Sequence, residues 1–141
     1  MRKVDLSPDE HIASFPDEVR TQYAELDQLI SAAFTGRSRN LWAGVFWGGT
    51  EQHIIGYGGI VQPRPRGEDV EWFAVGLARQ KSHFSIYVNA VDDGQYLLRR
   101  YEGRLGKVTL GSASIAIRNV ADVDLDRLTE LLSRAAELTD G

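Results

Sequence analysis

The sequence contains no cysteine, which excludes disulfide bonds, thiol nucleophiles and thiolate metal ligands. It also lacks any run of about 20 apolar residues, the length that a membrane-spanning helix requires. The first residues have no apolar stretch of the kind found in a secretory signal. We therefore expect a cytoplasmic protein with no membrane partner.

Positive charge is scarce as well. Lys and Arg number 16 against 20 Asp and Glu, which gives a formal net charge of -4. A domain that binds nucleic acid normally presents a clustered basic face to the phosphates. The composition thus argues against a nucleic-acid partner.

What is present is typical of a globular chain. The 141 residues are 43% hydrophobic and 26% charged, and they include 14 glycines. This length and composition suffice for one buried core, and we find no linker, internal repeat or low-complexity segment. We therefore predict a single domain over residues 1–141.

Helices are predicted at both ends of the chain. Ser7-Pro8-Asp9-Glu10 is typical of a helix start and predicts a short helix to about Ser14. Apolar residues then recur at helical spacing after Pro16, up to a stop at Gly36. They are Val19, Tyr23, Leu26, Ile30 and Ala33. A last helix should begin near Asp122, and its apolar stripe comprises Leu125, Leu128, Leu132 and Ala135.

The middle of the chain has the pattern of strands. Aromatic and β-branched runs separated by turn residues predict strands near 41–47, 53–62, 70–78, 83–90 and 112–118. Turns are expected at 48–51, 63–68 and 79–82, and a short helix from Asp92-Asp93-Gly94 through Tyr101. The predicted fold is α+β: a two-layer domain in which an antiparallel sheet of about five strands carries the N-terminal and C-terminal helices on one face.

Strand alternation divides the predicted sheet into a core face and an open face. Phe73, Val75 and Leu77 should share the core face with the apolar residues of the following strands. The opposite side should then display Trp72, Ala74 and Gly76 beside polar and aromatic residues of the next strands. Either this face is open to a ligand, or loops and the 92–101 segment cover it.

The open face supplies the candidate ligand-binding residues, which are Trp72, His83, Ser85, Tyr87, Ser114 and Arg118. Arg79 and Lys81 flank the turn between two of its strands, so they are further candidates for contacting an anionic ligand. The alternative is that both are solvated surface charges.

No motif indicates a catalytic residue, a metal or a cofactor. Gly56-Tyr57-Gly58-Gly59 is not followed by a helix, as a dinucleotide-binding loop would be. Asp122, Asp124 and Asp126 have calcium-loop spacing, but Arg127 occupies the position that requires glycine. The histidines, His11, His53 and His83, lie on different predicted elements without ligand spacing.

A series of short segments resembles the YdhG-like family of uncharacterised bacterial domains, over about residues 10–138. The segments are Trp42-x-Gly44, Gly56-Tyr57-Gly58, Trp72-Phe73-Ala74-Val75-Gly76-Leu77 with Lys81, Ser85-Ile86-Tyr87, Leu105-Gly106-Lys107, Gly111-Ser112 and Asp122-Val123-Asp124-Leu125. The resemblance implies a helix, antiparallel sheet and helix, a fold at one time likened to frataxin-type iron chaperones, and it implies no established reaction. Many members have Gly-Lys-x-Cys-Leu-Tyr after the glycine that matches Gly111, where this chain has Ser112-Ala113-Ser114-Ile115-Ala116.

Three functions are open from the sequence. The leading hypothesis is a non-enzymatic module that binds a small molecule or a protein through the open face, with a homodimer as one version. The second is a small enzyme assembled in space, with His83 as general base. The third is an iron carrier that uses the acids of the long first helix, which are Asp17, Glu18, Glu25 and Asp27, although Arg20 dilutes them.

Overall fold

A computed structural model describes residues 2–45, 51–62 and 70–140, and it contains three α-helices. These are α1 (Pro8–Ala13), α2 (Asp17–Ala33) and α3 (Leu125–Thr139). The strands are β1 (Arg2–Lys3), β2 (Arg39–Val45), β3 (Glu51–Gln62), β4 (Val70–Arg79), β5 (Phe84–Val88), β6 (Val91–Asp92), β7 (Gln95–Tyr96), β8 (Thr109–Leu110) and β9 (Ser114–Ile117). The predicted turns at 48–51 and 63–68 lie outside the described residues, apart from Glu51.

The main sheet is antiparallel, with the order β1-β2-β3-β4-β5-β9-β8. The α+β class and the antiparallel sheet are thus confirmed, whereas the prediction of about five strands is wrong, because the main sheet has seven. The two additional strands, β1 and β8, contain two residues each. Two residues cannot display the alternation by which a strand is recognised in a sequence.

The predicted helix over 92–101 is also wrong in its first half. β6 and β7 form a separate two-stranded hairpin, and a 3-10 helix follows at Leu97–Tyr101. Asp93 (φ 54) and Gly94 (φ 79) both adopt left-handed backbone conformations at the turn. Consecutive left-handed residues, often Asp-Gly, are what a tight hairpin turn requires.

Side-chain caps explain where the helices start. Ser7 accepts a hydrogen bond from the Glu10 amide at 3.1 Å, at the start of α1. Asp124 accepts one from the Arg127 amide at 3.1 Å, so α3 begins at Leu125 rather than near Asp122. Asp122 instead ends a short 3-10 turn.

The helices pack against one face of the sheet, which we call the helix-covered face. α2 and α3 share one core cluster with the strands, and its helix residues include Tyr23, Leu26, Ile30, Leu128 and Leu132. Its sheet residues include Leu41, Ile55, Tyr57, Val75, Leu77, Phe84, Ile86, Ile115 and Ile117. The opposite side, which we call the outer face, has a separate small cluster to which no described helix contributes.

The predicted faces of Phe73 and Ala74 are reversed in the structure. Phe73 belongs to the outer cluster, whereas Ala74 lies in the core under the helices. The alternation of side chains between the two faces of the sheet is interrupted beside Gly58. This glycine lies between the pairs Tyr57↔Val75 and Gly59↔Phe73, and its φ is 69°. We attribute the reversal to the left-handed backbone of this glycine, because it turns β3 locally.

Among the residues that the structure describes, no helix combines the length and the apolar character needed to cross a membrane.

Candidate functional site

Aromatic residues occupy one end of the outer face. Trp42 and Phe73 are buried there, and Trp72 stacks on Phe73 with 4.5 Å between ring centroids. Glycines beneath them provide the space, since a Cβ at Gly76 would lie 2.6 Å from the Phe73 ring. This aromatic cluster is therefore packed like a second, smaller core.

A hydrogen-bonded polar network follows in the middle of the outer face. The side-chain amide nitrogen of Gln80 donates to Gln52 Oε1 at 3.2 Å and to the Tyr87 hydroxyl at 3.0 Å. The hydroxyl of Ser85, which is buried, donates to Gln80 Oε1. Gln80 is therefore held by three contacts at once, and it fixes the positions of its neighbours.

The network forms one wall of a cavity of about 460 Å³, which we call the central cavity. The described residues that line it are Gln52, Gln80, Tyr87, Asn89, Tyr96, Ser112, Ala113 and Ser114. All of them are uncharged. Tyr96 belongs to the small β6–β7 hairpin, so part of the 92–101 segment borders the outer face without filling it.

A second cavity of about 540 Å³ lies further along β9, and we call it the distal cavity. Its charged or ionisable lining residues in the described part of the chain are His83, Lys107, Arg118 and Asp122. Ser114 of β9 lines the central cavity, whereas Ala116 lines the distal one. The two cavities are therefore neighbours on one face.

The structure distributes the predicted site residues over several places. Tyr87 and Ser114 line the central cavity, and His83 and Arg118 line the distal one. Ser85 lies in the polar network.

Trp72 packs in the aromatic cluster and is not among the described residues that line the two cavities. The guanidinium of Arg79 lies 4.7 Å from the centre of the Phe84 ring, and Phe84 belongs to the core of the helix-covered face. Lys81 is exposed in the β4–β5 turn. Neither basic residue is among the described residues that line the two cavities.

Sequence reasoning did not single out several residues of this site, among them Gln52, Gln80, Asn89, Tyr96, Lys107 and Thr109. Gln80 falls in the predicted 79–82 turn, and its backbone amide does close the hairpin by donating a hydrogen bond to the His83 carbonyl at 2.8 Å. Asn89 falls in the predicted strand near 83–90, but nothing in the sequence singles it out. Neutral amide side chains such as those of Gln80 and Asn89 belong to no recognisable sequence motif, so only the tertiary structure reveals their role.

The structure brings two of the histidines together. The rings of His11 and His53 stack with centroids 5.5 Å apart, and His11 Nε2 lies 3.0 Å from the Tyr23 hydroxyl. Burial, and secondarily the nearby His53, lowers the pKa of His11 from 6.5 to about 4. His11 is therefore a neutral packing residue of α1 at physiological pH.

Among the described residues, the acids of α2 are not arranged as a metal centre. Asp27 accepts hydrogen bonds from the Tyr57 hydroxyl at 2.6 Å and from Arg39 at 2.8 and 3.1 Å. Burial and the Asp27 carboxylate raise the pKa of Tyr57 well above its ordinary value. In the described ranges, no group of three or more His, Cys, Asp or Glu side chains is arranged to hold a metal ion.

Comparison of the chain with protein-family models, with curated proteins and with solved structures finds no match. The resemblance to the YdhG-like family therefore stays a prediction.

Proposed function

We propose that this chain is a non-enzymatic binding module that holds a small, uncharged polar molecule in the central cavity. The observation that carries the proposal is the Gln80-centred network, which fixes amide and hydroxyl groups around a cavity of about 460 Å³. Cavities of this size commonly hold small molecules, and a few fixed polar groups in them provide specificity.

The chemistry of the lining favours a sugar or a nucleobase. Within the described part of the chain, the Gln52 side-chain nitrogen, Asn89 Oδ1 and the Ser114 hydroxyl have no hydrogen-bond partner in the protein. They supply both donors and acceptors to a ligand. Tyr87 and Tyr96 add aromatic surface against which a ring can pack.

The enzyme hypothesis has less support. A general base needs a group that orients it, and among the described residues none forms a hydrogen bond or an ion pair with the His83 side chain. Iron carriage is weakened by the engagement of Asp27 with Arg39. Cytoplasmic residence and homodimer formation stay predictions, as does the binding of a protein instead of a small molecule.

The test is a titration of the 15N-labelled protein with glucose, adenosine and uridine, followed by amide chemical shifts in NMR. We expect at least one compound to shift the amides of Gln80, Tyr87 and Asn89 in a saturable way. Replacing Gln80→Leu should abolish the shifts, because it removes the group that positions Gln52, Ser85 and Tyr87.

The matched control is Gln28→Leu, which makes the same change at an exposed position of α2. It should bind like the wild type. If none of the three compounds shifts these amides, or if the shifts map to the helices, the small-molecule proposal is wrong. Light scattering that then detects a dimer would assign the outer face to a second copy of the chain.

A further inference from the structure

The distal cavity differs from the central one in charge. Its lining includes His83, Lys107 and Arg118, with Asp122 as the acid among the described lining residues. Lys107 and Arg118 form no ion pair within the described ranges. The chain as a whole has a net charge of -4, so the presence of two such cations beside one cavity requires an explanation.

The sheet sets two of these residues side by side. Phe84 of β5 pairs with Ile117 of β9, so His83 and Arg118 lie one residue beyond that pair. The β4–β5 hairpin holds His83 through the bond from the Gln80 amide to its carbonyl. The imidazole and the guanidinium therefore project from fixed backbone at adjacent strand ends.

A packed loop fixes the third residue. The Lys107 amide donates to the Asp122 carbonyl at 2.9 Å, and the Asp124 amide donates to the Leu105 carbonyl at 2.9 Å. Gly106 has a φ of 88°, and a Cβ there would lie 2.3 Å from the Asp122 carbonyl oxygen. This close approach, which only glycine allows, sets where Lys107 enters the cavity.

We propose that the distal cavity binds the phosphoryl group of a ligand whose uncharged ring lies in the central cavity. Arginine offers a planar fork of donors, and lysine offers a compact positive charge. The Thr109 hydroxyl and the His83 ring add further donors at the same cavity. A phosphoryl group has three terminal oxygens and up to two negative charges. Four donor groups therefore match it better than they match a carboxylate, which has two oxygens and one charge.

The spacing of the cavities agrees with one ligand. Ser114 and Ala116 occupy alternate positions of β9, Arg118 directly follows the strand, and a strand rises about 3.3 Å per residue. The backbone of Ser114, at the wall of the central cavity, is thus about 13 Å from the backbone of Arg118. The ligand class is a phosphate ester of a sugar or nucleoside, and this part of the inference rests on the proposed function.

The first experiment measures the anion site alone. The 15N-labelled protein is titrated with inorganic phosphate at constant ionic strength, and with acetate in a parallel series. We expect saturable shifts at the amides of Lys107, Thr109 and Arg118, and at least about tenfold weaker binding of acetate. Lys107→Gln and Arg118→Gln should each weaken phosphate binding about tenfold or more, which corresponds to 1.4 kcal/mol.

Two further variants make the result specific. Arg20→Gln removes the same charge from the exposed side of α2, and phosphate affinity should not change. Asp122→Asn removes the acid that lines the cavity, so it should strengthen binding. Shifts that are absent, or that weaken equally in Arg20→Gln, would overturn the site.

The second experiment separates this inference from the proposed function. Glucose 6-phosphate is compared with glucose, and adenosine 5′-monophosphate with adenosine. Tighter binding of a phosphate ester than of both inorganic phosphate and its parent ring supports one continuous site. If a ring compound binds the central cavity but phosphate shifts no distal amide, the anion site is wrong and the proposed function stands. If phosphate binds and no ester binds more tightly, the link between the cavities is wrong.

Discussion

The two faces of the sheet differ in how they use polar groups. On the helix-covered face, Asp27 is enclosed by Arg39 and Tyr57 at hydrogen-bond distance, and its charge is fully engaged. On the outer face, Gln80 organises neutral groups around a cavity, and Lys107 lines a second cavity without an ion pair in the described residues. Polar groups therefore stabilise the fold on one face and remain accessible to a ligand on the other.

The outer face is not uniform. Its aromatic end is packed, since Phe73 is 1% exposed, whereas the end formed by β5 and β9 carries the two cavities. An exposed face of a sheet can thus contain both a second core and a site. The following predictions test how sharply these parts differ; the three substitutions come in order of expected effect on stability, and a dependence on pH follows them.

The largest effect is expected for Asp27→Ala. It leaves the Tyr57 hydroxyl buried without its acceptor and Arg39 without its main partner, so the free energy of unfolding should fall by about 4 kcal/mol. Urea denaturation measures the change. Glu25→Ala, on the exposed side of the same helix, is the control and should change stability by less than about 0.5 kcal/mol. If Asp27→Ala and Glu25→Ala lower the free energy of unfolding equally, Asp27 is not part of a stabilising buried cluster.

Phe73→Ala tests whether the aromatic end is a core. Removing this buried ring should lower the free energy of unfolding by about 3 kcal/mol, although the residue lies on the outer face. Trp72→Ala, at a partly exposed neighbour, should cost less. Thermal or urea unfolding of both variants measures these losses. If Phe73→Ala leaves the free energy of unfolding unchanged, the aromatic cluster is not a second core.

Gly76→Ala probes the same cluster from below. The added methyl group would overlap with the Phe73 ring and with Ile54, so we expect a loss of about 2 kcal/mol from overpacking. Gly59→Ala is a control, because the nearest atom to its Cβ would be Ser38 Oγ at 3.4 Å. If both variants unfold at the wild-type temperature, the glycine is not needed for ring packing.

Acid should weaken the contact between α1 and the rest of the fold. The pKa of His11 is lower in the folded protein, about 4, than its ordinary value of 6.5, so the unfolded chain binds more protons between these values. The free energy of unfolding should therefore decrease as the pH falls from about 6.5 towards 4, by at most about 1.4 kcal/mol per pH unit. Urea denaturation at several pH values measures this slope. His11→Gln should reduce it, and an unchanged slope would show that other groups are responsible.

The sequence predicted the helices well because their signals are local. The spacing of Tyr23, Leu26 and Ile30 and the cap at Ser7 both act within a turn or two of helix. The five long strands were also predicted, with shifted ends. The short strands β1 and β8 were missed, since their pairing depends on partners elsewhere in the chain.

The candidate site was predicted only in part. Tyr87, Ser114, His83 and Arg118 follow from strand alternation, and each lines one of the cavities. Lys107 was missed, because its place depends on the packing of Gly106 against Asp122. The reversed faces of Phe73 and Ala74 have the same kind of cause, since Gly58 lies on the neighbouring strand.

By itself, the sequence determined the α+β class, the two long helices and an antiparallel sheet, because each of these depends on periodicity and turn chemistry within a short segment. The tertiary structure decided which polar groups meet. Gln80 reaches Gln52 across 28 positions, and Lys107 and Arg118 line the same cavity although one lies in a loop and the other follows a strand. Such encounters depend on register and close backbone packing between distant segments, which no local pattern encodes.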